Sequence, residues 1–345
     1  MPVVGPGRRS LAVIVSILLA LVLSGWGLAL FGFSPLLLLG SVLQEQFGSR
    51  FGLEDLGLIY APIVFCSLSM AICIRAGLWN IGAEGQFYVG AAAATGAGLF
   101  LHAPPWLMWP LMIVGAIAGG MIWMLIPALS RIHGAVDEII STLLLNFVAV
   151  LFITYLTSGP WRDQKTFVNA ASGRIPYDLP ALSGALHIGI VVAVALAVLL
   201  AIVFRYSRWG YEVLMCGANA DAATYAGMPV GRRLLQVMLL SGSIAGLAGM
   251  IEIVGTVHRL QTGISSSYGY LGIIAGVLVR GSMLGVLLSA GFAATLLGAT
   301  SILQAQGLST GTALALTGAV LFFAAMGQRL AEFRIIRVAV GTENP

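Results

Sequence analysis

Charge is the scarcest property of this chain. Only 9% of its 345 residues are Asp, Glu, Lys or Arg, against about 25% in soluble domains. There is one lysine, Lys165 in WRDQKTF, and no glycine-rich loop precedes it. A phosphate-cradling G-x-x-x-x-G-K-[ST] loop is therefore excluded, so any energy from ATP must come from another polypeptide. Three cysteines, Cys66, Cys73 and Cys216, lack metal-site or disulfide-framework spacing. Cys66 and Cys73 sit in one apolar run and read as small buried hydrophobes. The four histidines, His102, His133, His187 and His258, fall in separate segments, and neither H-E-x-x-H nor Gly-x-Ser-x-Gly occurs. No catalytic residue, metal ligand or cofactor is expected. The net charge of +4 is scattered between apolar segments, which argues against nucleic acid as a partner.

Apolar sequence fills the space that charge leaves. The chain is 59% hydrophobic, with a mean hydropathy of +0.99, the composition of an integral membrane protein. Crossing the hydrocarbon core takes about 20 apolar residues. On that ruler, spans fall near 11–33, 57–74, 87–103, 107–127, 139–158, 184–204, 234–255, 268–280, 284–302 and 308–326. The eighth is short enough to be broken or re-entrant. The opening GRRSLAVIVSILLALVL reads as an uncleaved first span rather than a secretory or twin-arginine signal, because so many spans follow it. The fold class expected is all-α, a polytopic bundle of about ten spans with both termini cytoplasmic. With the N-terminus inside, the inner side receives twelve basic residues (Arg8, Arg9, Arg75, Arg131, Arg205, Arg208, Arg232, Arg233, Arg280, Arg329, Arg334 and Arg337). The outer side receives five (Arg50, Arg162, Lys165, Arg174 and Arg259). That bias follows the positive-inside rule.

One stretch breaks the apolar pattern. RAGLWNIGAEGQFYVG, residues 75–90, sets Asn80, Glu84 and Gln86 among four glycines at a membrane boundary. Such polarity is tolerated only where it is buried in protein or lines a wet cavity, and glycine permits a helix break and close backbone approach. These residues, with Asn146 and Glu252 inside later apolar runs, are candidates for a solute pathway. Each has a plainer reading: a local cap for Glu84, and interhelical bonds for Asn146 and Glu252. A carboxylate at a helix centre costs about 2.5–3.5 kcal/mol by insertion scales, so both acids need a partner or water. The pair Gly82-x-x-Gly85 and Gly269-x-x-Gly272 hints at a repeat, with the first break on the inner side and the second on the outer, as inverted repeats require.

Two loops stand out. Residues 159–183 form a polar outer loop with room for a short surface helix, and residues 205–233 form the longest inner loop. Within the inner loop Asn219 is placed as a helix N-cap, Asp221 suits the positive end of the helix dipole, and Gly227 before Pro229 makes a stop. A helix over Ala220–Ala226 follows, too short to be stable without a docking surface.

Several blocks together resemble the permease subunits of ATP-binding-cassette importers, in the family that serves branched-chain amino acids, ribose and simple sugars. They are RAGLWNIGAEGQFYVGA (75–91), VDEIISTLLLNFVA (136–149), GYEVLMCGANADAATYAGM (210–228), LSGSIAGLAGMIEIVG (240–255) and GYLGIIAGVLVRG (269–281). NIGAEGQ points to the nucleoside and simple-sugar branch. The resemblance implies one transmembrane permease domain over 1–345, with 205–233 as the cytoplasmic segment that couples to the ATPase through Gly217, Asn219, Asp221, Ala223 and Gly227. Many relatives carry Asn-Pro where this chain has Asn219-Ala220. The implied partners are an ATPase subunit, a second and commonly different permease, an extracytoplasmic solute-binding protein and membrane lipid. The implied place is the bacterial cytoplasmic (inner) membrane. Carriage of branched-chain amino acids by the same transporter class is the alternative. An ion-coupled secondary carrier is the more distant one, since such carriers rely on intramembrane carboxylates and only Glu84 and Glu252 qualify.

Overall fold

The computed structural model describes residues 6–30, 32–134, 136–164 and 170–330. Lys165, Arg334 and Arg337, and residues 165–169 of the outer loop, lie outside the described residues. The elements run α1 (Pro6–Leu30), α2 (Pro35–Phe47), α3 (Arg50–Arg75), α4 (Ala83–Phe100), α5 (Pro105–Gly134), α6 (Glu138–Ser158), β1 (Ala181–Ser183) and β2 (Leu186–His187). They continue with α7 (Gly189–Tyr206), α8 (Arg208–Ala218), α9 (Ala220–Tyr225), α10 (Val230–Glu252), α11 (Tyr268–Leu278), α12 (Gly285–Ala305) and α13 (Thr310–Leu330). A π turn over Ile253–Val257 prolongs α10.

Among the described residues, seven helices are long and apolar enough to cross a membrane: α3, α5, α6, α7, α10 with its π turn, α12 and α13. The α1–α2 pair, bent by 119°, would make an eighth. This is a polytopic helical membrane protein. α4 and α11, both counted as spans in the sequence, are not in that set. At 11 residues, α11 rises about 16 Å, roughly half the hydrocarbon thickness.

Contacts divide the chain into two units, residues 1–44 with 299–345, and residues 45–298. In the first, α1 packs on α13, Leu28, Leu38 and Leu308 share an apolar cluster, and the Thr300 and Thr317 hydroxyls meet at 2.9 Å. In the second, α10 and α3 are innermost, with 83% and 78% of their apolar windows buried, against 28% for α6 and for α7. The outward side chains of α6 and α7, among them Leu144, Phe147, Leu151, Val191 and Leu199, suit contact with lipid.

The packing of α4, α5 and α10 depends on glycine. A methyl group on Gly246 would overlap the Ala116 carbonyl oxygen of α5, and one on Gly90 would strike Gly246 itself. Helices that lack a hydrophobic driving force between them associate through such small-residue contacts.

Four expectations change. The all-α reading misses one antiparallel hairpin, β1–β2. The outer loop contains no surface helix among its described residues; bridges from Arg162 to Ser172 and from Ala171 to Gln261 hold it extended. α2 was not foreseen, because its apolar run is too short for a span, although Pro35 opens it at a position proline favours. The inner loop holds two helices rather than one, with α8 preceding α9.

Candidate functional site

The polar stretch before α4 folds back into the protein. Asn80 is fully buried. Its Nδ2 protons are shared among Ser69 Oγ (3.1 Å), Gln86 Oε1 (2.8 Å) and Ser241 Oγ (2.8 Å). Its Oδ1 accepts from the Gly82 N–H and from Gln86 Nε2, both at 2.9 Å. The Ser69 and Ser241 hydroxyls are 2.8 Å apart, so one amide ties the break to α3, α10 and the first turn of α4. Asn146, reaching from α6, accepts the Gly85 N–H at 2.8 Å and donates to the Ile81 carbonyl at 2.8 Å. It thereby satisfies one of the orphan donors at the start of α4.

Glu84 serves a different helix. Its Oε2 accepts the Gly269 N–H at 2.9 Å, and its Oε1 accepts the Ser265 hydroxyl. A carboxylate from the first turn of α4 thus caps the first turn of α11, where both helix dipoles favour negative charge. A methyl group on Gly269 would lie 2.5 Å from the Glu84 Cα, so the two helix starts touch backbone to backbone. The two glycine breaks therefore abut in space. Broken helices meeting at a repeat interface are how transporters build solute sites.

Glu252, the last residue of α10, is also buried, at 3% exposed. Its electrostatic neighbour is Tyr268, yet it has no hydrogen bond or ion pair among the described residues. The chain beyond it is irregular: the π turn, then His258, Ser266 and Ser267 in left-handed conformation (φ 58°, 43° and 69°). Non-glycine residues in that region store about 1–3 kcal/mol each. His187 of β2 packs beside Gly255, with Nδ1 accepting the Gly189 N–H at 3.1 Å and Nε2 unpartnered. The ring is therefore neutral, its proton on Nε2. Burial, and to a lesser degree the neighbouring His258, hold its pKa below the ordinary value.

At the other end of α10, α8 and α9 pack together. The Arg233 guanidinium meets Glu212 at 2.5 Å, and Arg233 and Trp209 both donate to Gln236 Oε1, at 2.8 and 3.0 Å. These contacts clamp α8 to α10. Asn219 ends α8 and caps α9, its Oδ1 accepting the Ala222 N–H at 3.0 Å. Asp221 lies in the first turn of α9, and Gly227 follows that helix with φ +77°. The five coupling candidates differ in what they can touch. Asn219, Asp221 and Gly227 are exposed, whereas Ala223 is 3% exposed and faces its own chain. Gly217 packs against the backbone of Arg75–Gly77, the turn that leads into the Asn80 break. The outermost side chain of α9 is Tyr225, 96% exposed, which the sequence reading left off its coupling set.

The arrangement has a self-bonded break, a second helix start capped by that break, and the α8–α9 segment resting on the same turn. Residues 53–325 match the family described as "Branched-chain amino acid transport system / permease component". The chain belongs to this permease family. It is 32% identical over 93% of its length to the glucose ABC transporter permease protein TsgB13 of Haloferax volcanii, covering 88% of that protein. It is 34% identical over 66% of its length to the guanosine ABC transporter permease protein NupP of Bacillus subtilis, covering 68% of that protein. The nucleoside ABC transporter permease protein NupB of Lactococcus lactis subsp. cremoris is 25% identical over 92% of this chain and 91% of its own. The chain is accordingly the translocation subunit of an ATP-binding-cassette transporter and not an enzyme, and ATP hydrolysis lies on a separate subunit.

Sequence reasoning missed several residues of this permease's polar centre. Ser69, Ser241 and Ser265 complete the Asn80 and Glu84 networks, and the only sequence signal for them was small polar residues within apolar runs. Glu138, which accepts from the Trp79 N–H at 3.4 Å and pairs with Arg131 at 3.0 Å, is not among the sequence candidates.

Proposed function

We propose that this permease carries nucleosides or simple sugars inward, delivered by an extracytoplasmic binding protein and driven by an ATPase docked on α9. The relatives' names favour sugar or nucleoside solutes over branched-chain amino acids. The observation that carries the coupling assignment is the seat of α8–α9. The short capped helix stands out from the chain at Tyr225, and at Gly217 its base touches the turn entering the Asn80 break. A push on α9 therefore reaches the broken centre through backbone contact. The intrachain bonding of Glu84 speaks against an ion-coupling acid there.

In this reading the chain crosses a bacterial cytoplasmic membrane ten times with both termini inside, α4 and α11 being the polar and the short crossing. A second permease subunit completes the pathway. The topology is checked by maleimide labelling of Arg174→Cys and Asp221→Cys, against a background of three buried cysteines. Labelling from opposite sides is expected, and labelling from one side defeats the topology. Coupling is checked with Tyr225→Arg and Ala222→Arg, on the exposed face of α9. Both should lose co-purification of the ATPase and most uptake while the permease still inserts. Retention of both properties would remove α9 as the docking element.

A further inference from the structure

Among the described residues, Glu252 is the buried core acid with no hydrogen bond or ion pair. Glu84 has two donors from the α11 region, and Glu138 has Arg131 and the Trp79 N–H. Glu252 is as buried as Glu84, at 3% against 4% exposed, and no basic group offsets its charge. A carboxyl at such a place costs free energy unless something satisfies it. At 3% exposed, the side chain is covered largely by the chain's own helices. What can reach it is a small molecule or water admitted when the helices part.

The surroundings supply both a hinge and a chemistry. Glu252 immediately precedes the π turn, and the segment after it returns through left-handed His258, Ser266 and Ser267. Such interruptions of the helical ladder are frequent at functional sites. Hydroxyls are grouped in this region: Tyr268 is the electrostatic neighbour of Glu252, Ser266 hydrogen-bonds Tyr268, and Ser265 bonds Glu84. The Tyr88 hydroxyl accepts the Gly263 N–H at 3.2 Å. A carboxyl group beside the Tyr268 hydroxyl and without a cation is suited to a neutral, hydroxyl-rich molecule.

We propose that Glu252 reads a pair of neighbouring hydroxyls on the passing solute, so that this permease selects for a vicinal diol independently of its binding protein. The two carboxyl oxygens span such a pair, with Tyr268 alongside. The inference rests on the nucleoside and simple-sugar reading above. A site that hydrogen-bonds a solute hydroxyl discriminates strongly against the analogue lacking it, because its own polar group is then left unpaired.

The test uses the full importer in proteoliposomes, with binding protein and ATPase present. Rates are measured at saturation for guanosine against 2′-deoxyguanosine and for glucose against 2-deoxyglucose. The binding protein is identical in every arm, so a changed ratio belongs to the permease. Wild type should favour the hydroxyl-bearing member of at least one pair by about tenfold, Glu252→Ala should bring that ratio to about one, and Glu252→Gln should fall between. ATPase co-purification and the melting temperature verify assembly of each variant. Equal loss for both members of each pair, or no change in any ratio, overturns the proposal and leaves the function reading standing. A wild-type importer that moves neither guanosine nor glucose overturns the function reading, and this inference with it.

Discussion

The two interruptions in the helical core are built on opposite terms. The break before α4 bonds to itself: Asn80 and Gln86 pair their amides, two serines close the pair against α3 and α10, and Asn146 caps the helix that follows. Among the described residues beside it, the Trp123 indole N–H lacks a partner. The break after α10 leaves groups open, with an unpartnered Glu252, an unpartnered His187 Nε2 and non-glycine residues in left-handed backbone. A buried polar network that is fully satisfied rigidifies, while strained backbone and unsatisfied buried groups cluster at functional and switch regions. By that criterion the first break is the fixed part of the machine and the second is the part that changes.

Substitutions at Asn80 and Glu252 should separate the two regions most sharply. Asn80→Leu strands the Gly82 N–H and the Gln86 side-chain oxygen, each worth about 1–3 kcal/mol when left buried and unpaired. The purified permease should lose about 3 kcal/mol of stability, read as a large fall in melting temperature in detergent. Glu252→Leu strands nothing. It should leave the melting temperature unchanged or raised while lowering uptake. A fall at Glu252→Leu as large as that at Asn80→Leu would show that the second break is also a structural lock, and the contrast would collapse.

A middle case lies where the breaks touch. Glu84 belongs to the first by sequence and caps the second by contact. Removing a cap typically costs about 1 kcal/mol, and buried hydrogen bonds to a charged group cost about 1.5–3 kcal/mol. Glu84→Ala should therefore lose about 2 kcal/mol. Glu84→Gln, which keeps one acceptor oxygen, should lose less. Equal losses would mean that charge rather than acceptor geometry holds α11.

Much of this was legible in the sequence, for identifiable reasons. Asn80, Glu84, Gln86 and Asn146 were visible because polar residues inside apolar runs must be satisfied, and the rule is strict in lipid. The cap at Asn219 and the stop at Gly227 were visible because helix ends have local chemistry. The partners were not. Ser69, Ser241 and Ser265 come from segments up to 181 residues away, and nothing local distinguishes a serine that meets an amide from one that bonds its own helix. The contact of Gly82–Gly85 with Gly269–Gly272 was half visible as a glycine repeat, but adjacency in space is set by packing. Ala223 shows the limit in reverse: small size suited docking, yet the residue is 3% exposed and faces its own chain.

The smallest expected effect concerns pH and tests the open region again. His187 sits in β2, outside the spanning helices, with its ring buried and its Nδ1 committed to the Gly189 N–H. Burial, assisted by His258, lowers its pKa in the folded protein, whereas the unfolded chain titrates near 6.5. Above about pH 6.5 both states are neutral and the contribution is fully present. As pH falls below that value the unfolded chain binds a proton that the folded site refuses, so stability declines, by at most about 1.4 kcal/mol per pH unit. His187→Gln removes this group's share, so its melting temperature should fall less steeply than wild type between about pH 6.5 and 5. Parallel pH profiles for the two proteins would mean that His187 protonates in place, and that the region after α10 is wetter and looser than its burial indicates.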